Sequence, residues 1–316
     1  MPKMETLIIR KKGSDLLIVG GGPAGLTAGI YAVRMGISTT LFERALPGGL
    51  MGVTEKIENY PGFHQEIKGL ELSAAFEKHA RSLGLNIMWG NVSKVEVSGK
   101  TKKIHFEDKT MEGKTLIIAT GTEPKKLGVP GESEFIGRGV SYCATCDAPF
   151  YKDKKVAVVG GGNSAIEEAL FLTNFAKTVT VIHRRGDLRA DKIYELRAKA
   201  NPKIYFLWDT ELEKIEGSDM VESITLKNSK SKKKTKVSVD GVFMYVGFTP
   251  NVAFLEGQLK HNKDGFIITD ETMKTSVDGV FAAGDVRVKP LRQVVTAAAD
   301  GAVAANSAFK YLESLK

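Results

Sequence analysis

Residues 14–44 read in order as an apolar run, a knot of glycines, an alanine-rich stretch and a second apolar run: SDLLIVGGGPAGLTAGIYAVRMGISTTLFER. The same order returns at residues 154–185, as KKVAVVGGGNSAIEEALFLTNFAKTVTVIHRR. Each block predicts a buried strand, a tight turn, a helix and a second strand, so the chain carries one supersecondary unit twice. Two further apolar runs, in TLIIATGTEPKKLGVPGE and GVFMYVGFTPNVAFLE, break into glycine, proline and polar residues. That pattern suits two crossings between domains. VESITLK and TKVSVDGVFMYV read as strands joined by KNSKSKKKTK, a solvated hairpin tip. Near the end, GVFAAGD predicts a strand closing on an acidic residue. The last helix holds so many alanines and glycines that another element must pack close against it.

The fold class is therefore α/β, with two Rossmann-like nucleotide-binding domains. The 316 residues suffice for about two domains, and 42% apolar with 26% charged residues is ordinary for a folded globular protein. No run approaches the roughly 18 apolar residues of a membrane span, and METLIIRKKGSD is too short an apolar stretch to be a signal peptide. A cytoplasmic protein without membrane partners is expected. The net charge of +8 is concentrated at Lys227–Lys236, without interleaved aromatic residues, which argues against nucleic acid.

In the first unit Gly20, Gly22 and Gly25 follow a strand and open a helix, and the next strand ends on Glu43. That is the context of a dinucleotide fingerprint: a tight turn, a close backbone approach to pyrophosphate, helix-on-strand packing, and a carboxylate for ribose hydroxyls. In the second unit Gly160, Gly162 and Ala165 occupy the same places. The step that leads from Gly20 to Glu43 leads from Gly160 to His183, followed by Arg184, Arg185 and Arg189. A carboxylate would repel the 2′-phosphate of NADP, whereas guanidinium pairs with phosphate through charge-assisted hydrogen bonds. The second unit is thus expected to bind NADPH and the first FAD.

The only two cysteines, Cys143 and Cys146, lie in SYCATCDAPF, directly before Asp147. Zinc needs four ligands, and with no second cysteine pair and scattered histidines no metal site is expected. A close thiol pair beside nucleotide-binding units points to redox exchange. Asp147 is placed to move a proton as a thiolate forms or leaves.

Several motifs occur in one order along nearly the whole chain: GGGPAG, IIATG, CATCD, GGGNSA with HRRGDLRA, VFAAGD and RQVVTAAADG. In this the chain resembles the low-molecular-weight bacterial and archaeal thioredoxin reductases. The resemblance implies three-layer ββα domains, with a discontinuous FAD domain, residues 1–124 and 250–316, interrupted by an NADPH domain, 125–249, that carries the Cys-x-x-Cys. It implies a homodimer.

Matched residue by residue, the resemblance assigns to FAD the turn Gly20, Gly22, Pro23, Ala24 and Gly25, then Glu43, Asn59, Thr120 and Gly121, with Gly284, Asp285, Arg292, Gln293 and Val294. To NADPH it assigns Asn163, Ser164 and Glu167 beside the glycines and basic residues already named. Where this family usually reads Gly-Gly-Gln, the chain has Gly48, Gly49 and Leu50, so an amide facing the flavin edge is missing. Cys146 is implied as the sulfur nearest the flavin, Cys143 as the thiol that attacks a partner disulfide, and Asp147 as acid and base. The implied partner is thioredoxin, or a glutaredoxin-like protein or other dithiol acceptor served by the same chemistry; a non-catalytic flavoprotein redox sensor is the remaining alternative. The family alternates nicotinamide and disulfide at the flavin by swinging one domain, here with hinges expected near Gly121 to Gly131 and Tyr245 to Pro250.

Overall fold

The fold is that of a computed structural model, which describes residues 14–54 and 57–316. The N-terminal stretch read above for targeting lies outside the described residues up to Gly13. The first repeat folds as β1 (Leu16–Val19), α1 (Pro23–Arg34) and β2 (Thr39–Glu43). Pro23 opens α1 at a position whose N–H has no helical partner. Gly20 adopts φ +103°, which an L side chain rarely takes, and a Cβ on Gly25 would overlap the Gly20 carbonyl oxygen. The chain continues through α2 (Gly69–Ser82) and β3 (Asn86–Trp89). An antiparallel sheet of β4 (Val92–Glu96), β5 (Lys102–Phe106) and β6 (Lys109–Gly113) follows, then β7 (Thr115–Ile118) and the short β8 (Thr122–Pro124).

The second repeat is preceded by β9 (Val140–Ser141) and the four-residue α3 (Ala144–Asp147). It comprises β10 (Lys155–Gly160), α4 (Asn163–Leu172) and β11 (Thr178–Ile182), extended by α5 (Lys192–Ala200) and β12 (Ile204–Leu207). β13 (Thr210–Gly217), β14 (Val221–Asn228) and β15 (Lys234–Ser238) form a second antiparallel sheet, and β16 (Gly241–Tyr245) returns to the parallel one. After β17 (Phe248–Pro250), which pairs with β8, come β18 (Val280–Ala282) and the long α6 (Val294–Ser314).

The chain divides into two compact units: the described residues up to Thr122 together with Thr249–Lys316, and Glu123–Phe248. In the first, a parallel sheet runs in the order β18-β7-β1-β2-β3. Every residue of β1 is buried, because alternate side chains enter different cores: Leu16 and Ile18 pack with α1 and α6, while Leu17 and Val19 pack with Val95, Ile104 and Phe106 of the antiparallel sheet. The continuous apolar run thus records a strand covered on both faces, and each such side chain contributes about 1.5–3 kcal/mol by leaving water. The second unit repeats the design with the order β12-β11-β10-β16-β9, Val156 and Val158 facing α4 and Ala157 and Val159 facing β13–β15. Both are three-layer α/β units, as the resemblance implies.

The alanine- and glycine-rich last helix packs on α1 so tightly that a Cβ on Gly301 would overlap the Ala24 carbonyl oxygen. One expectation is corrected. TKVSVDGVFMYV is two strands in different sheets: β15 pairs antiparallel with β14, whereas β16 pairs parallel with β10. The switch is held at Asp240, whose N–H donates to the Lys155 carbonyl at 2.8 Å while its carboxylate accepts the Lys155 N–H at 2.7 Å. At the basic hairpin tip, Asn228 Oδ1 accepts the N–H groups of Lys230 and Ser231, and Lys230, Lys234 and Lys236 pair with Asp209, Glu213 and Glu216.

Candidate functional site

In the first unit four separate segments meet at the N-terminus of α1. Glu43 reaches back from the end of β2, its Oε2 accepting the Gly21 N–H at 2.6 Å. The Gly48 N–H donates to the Gly21 carbonyl at 2.8 Å, which lays the Gly48–Leu50 turn against the glycine turn. Gly20 packs on Ala119 and Thr120, and Gly284 approaches Ala24. In front of the helix, a Cβ on Gly22 would meet nothing within 4 Å, so this open space is where an anion could approach the free N–H groups.

Asn59 and Gln293, far apart in sequence, are brought together: Asn59 Nδ2 donates to Gln293 Oε1 at 3.0 Å. Gln293 also caps α6 in a capping box with Thr296, just ahead of Val294. The Arg292 guanidinium lies 4.2 Å from the centre of the Phe266 ring, and Thr120 Oγ1 donates to the Asn251 carbonyl at 2.7 Å. Leu50 is two-fifths exposed and brings only an apolar side chain.

Asp285 is suited to hold a ligand's hydroxyl, because its Oδ1 is buried without a hydrogen-bond partner from the protein. Burial raises its pKa, with Lys289 and Arg292 pulling partly the other way. Beneath it lies the aspartate of RQVVTAAADG, to which the sequence reading gave no role. Asp300 of α6 accepts the Gly284 N–H at 3.0 Å, Arg287 through both Nε and Nη2, and Lys289 Nζ at 2.8 Å. Burial opposes its ionisation, but the hydrogen bonds from Arg287 and Lys289 win and hold its pKa below the usual carboxylate range.

In the second unit Cys143 and Cys146 form a disulfide with Cα atoms 5.3 Å apart. Cys143 caps α3: its Sγ accepts the Cys146 N–H at 3.2 Å and lies 3.2 Å from Thr145 Oγ1, and its own N–H donates to Ser141 Oγ at 3.0 Å. Cys143 is half-buried, Cys146 exposed and Asp147 half-buried at the end of the same turn. The Tyr245 hydroxyl accepts the Ala144 N–H at 2.9 Å, and the Tyr142 hydroxyl donates to buried Glu132 at 2.7 Å. Burial first, then nearby carboxylates, push both phenols well above their ordinary pKa, so both keep their protons. Glu132 further accepts the N–H groups of Leu127 and Gly128. Sequence reasoning named Tyr245 only as the edge of a hinge and missed both its hydroxyl at the dithiol turn, hidden at the end of an apolar strand run, and Glu132.

The second glycine turn also leaves open space at Gly162, before α4. Arg184, Arg185, Arg189 and Ser164 are exposed, and the Arg189 N–H donates to the Gly161 carbonyl at 2.7 Å. His183 parts company with the arginines. Its ring is only 5% exposed and packs against Gly161 and, edge-on, against Trp208. Burial, with Arg189 beside it, lowers its pKa, so the ring is neutral near pH 7. Asn163 and Asp191 exchange two hydrogen bonds that tie α4 to the start of α5, while Glu167 is half-buried one turn into α4. Among the described residues no group of three or more His, Cys, Asp or Glu could hold a metal ion, and no helix is long and apolar enough to cross a membrane.

A family model for pyridine nucleotide-disulphide oxidoreductases matches residues 14–301. The chain is 45% identical over 307 residues to a thioredoxin reductase of Peptoclostridium litorale, covering 95% of this chain and 98% of that protein. It is likewise 45% identical over 303 residues to a thioredoxin reductase of Bacillus subtilis strain 168, covering 96% of each. Among solved structures, a thioredoxin reductase from Lactococcus lactis superposes with a TM-score of 0.93 at 44% identity, covering 95% of this chain and 99% of that one.

Proposed function

Because the chain belongs to the pyridine nucleotide-disulphide oxidoreductase family, we propose that it is an NADPH-dependent thioredoxin-disulfide reductase. The observation that carries this reading is the Cys143–Cys146 disulfide on the turn before a Rossmann-like unit whose fingerprint ends in arginines. The first unit takes FAD: the open space at Gly22 admits a pyrophosphate, Glu43 stands at the ribose position, and Asp285 offers a buried oxygen without a protein partner. Bound FAD supplies the two-electron relay between nicotinamide and disulfide.

The second unit takes NADPH, with Gly160 and Gly162 for the pyrophosphate and Arg184, Arg185 and Arg189 for the 2′-phosphate. NADPH delivers a hydride, two electrons with one proton. With one further proton the disulfide becomes two thiols. Cys143, as thiolate, attacks the disulfide of the partner, releasing one partner thiol; Cys146 then attacks Cys143, frees the second, and restores the starting disulfide. Asp147 moves the protons that these thiolates need. A homodimer in the cytoplasm completes the proposal, and light scattering giving twice the chain mass tests its oligomeric part.

The reading is tested by following NADPH oxidation by purified protein with oxidised thioredoxin, a glutaredoxin-like protein and a small disulfide in parallel. Turnover is expected with thioredoxin and loss to background in Cys143→Ser. Turnover by Cys143→Ser at the wild-type rate contradicts the assignment.

A further inference from the structure

Tyr245 takes part in both halves of the second unit's site. Its backbone pairs with Gly160 at the end of β16, so that its carbonyl lies against the first glycine of the nucleotide turn. Its hydroxyl accepts the N–H of Ala144, the residue after Cys143. The ring packs in the cluster that also buries Ala144, Ala148 and Ala165, so neither end of the side chain is free to drift.

We infer that Tyr245 is a positioning residue for the dithiol: by holding the first amide of α3, it keeps the donors of that turn aimed at Cys143 Sγ when the disulfide opens. The inference rests on the proposed function. Its physical basis is local. Cys143 Sγ already accepts the Cys146 N–H and lies within reach of Thr145 Oγ1. A thiolate there gains from both, provided that the backbone of a four-residue helix, too short to be stable alone, does not unwind. The charged groups acting on the Tyr245 hydroxyl, Glu168 and Asp147, are carboxylates, and Glu132 stands behind Tyr142 on the other side of Cys143 in the chain. A negative sulfur on Cys143 depends on the Cys146 N–H and the Thr145 hydroxyl being held in place.

The test is the pH profile of iodoacetamide alkylation of the reduced holoenzyme, with peptide mass analysis separating Cys143 from Cys146, in wild type and Tyr245→Phe. Phe retains the packed ring and removes only the hydroxyl. In the variant the Cys143 profile should move to higher pH, with the rate at pH 7 falling about five-fold, the equivalent of one neutral hydrogen bond. Amide hydrogen exchange at Ala144 should accelerate, a readout independent of thiol chemistry. Superimposable Cys143 profiles with a lowered Tm would make Tyr245 merely structural and overturn the inference while leaving the proposed function intact. A wild-type Cys143 no more reactive at pH 7 than a free cysteine would overturn the thiol assignment and this inference with it.

Discussion

At the end of β2 in the first unit stands Glu43, whose carboxylate takes the Gly21 N–H at 2.6 Å. At the matching place in the second unit stands His183, whose ring packs against Gly161. Both side chains support the middle glycine of their turn. The difference lies in what they leave outside: a carboxylate positioned for hydroxyl donors in one unit, a neutral ring with exposed arginines after it in the other. The third fingerprint position differs as well, since Gly25 sits against Gly20 where no Cβ fits, while Ala165 places its Cβ in the space that Gly160 leaves. In the proposed reading, one strand-turn-helix scaffold serves two nucleotides through a few residues at the tip of its second strand.

The largest effect that sharpens this comparison is expected from Arg184→Ala, Arg185→Ala and Arg189→Ala combined. The ratio of kcat/KM for NADPH over NADH should fall by about three orders of magnitude or more, since each of the three charge-assisted contacts is worth at least about 1.5 kcal/mol and each 1.4 kcal/mol about tenfold. An unchanged ratio would break the assignment of the second unit. In the first unit, Glu43→Gln should weaken FAD binding to the apoprotein about tenfold by calorimetry, a loss of roughly one charge-assisted hydrogen bond. Its KM for NADPH should stay constant.

Asp285→Asn is expected to separate stability from binding. The pKa of Asp285 is raised by burial, so the native apoprotein holds its proton more tightly than the unfolded chain does. That contribution is complete below the ordinary carboxylate pKa and is lost as pH rises through the folded value. At neutral pH the variant apoprotein should therefore melt higher than wild type, yet bind FAD several-fold more weakly.

The smallest effect belongs to His183→Gln, which should change the Kd for NADPH less than about three-fold at pH 7, because the neutral ring props the turn and brings no charge. Its lowered pKa means that the unfolded chain takes up the proton first as pH falls past about 6.5. Wild-type Tm should consequently drop more steeply than the variant's between pH 7.5 and 5.5.

The glycine turns were legible from sequence because their constraints are local: a left-handed backbone at Gly20 and a helix packed against it at Gly25 admit few other residues. The strands were legible because burial on both faces writes an unbroken apolar run. The pairing of Asn59 with Gln293, the carboxylate of Asp300 beneath Gly284, and the Tyr245 hydroxyl on the dithiol turn were not. Each joins segments distant along the chain, and Tyr245 carries its polar atom at the end of a ring that fits an apolar strand. The split of TKVSVDGVFMYV escaped for the converse reason, since alternation alone does not say which sheet a strand joins.

The central claim is that reducing equivalents from NADPH end on the Cys143–Cys146 pair. Its most direct measurement is an anaerobic addition of NADPH to purified holoenzyme, followed by maleimide labelling and peptide mass analysis. Two new thiols, on Cys143 and Cys146, should appear and disappear again when oxidised thioredoxin is added. NADPH consumed with both cysteines still joined would contradict the account.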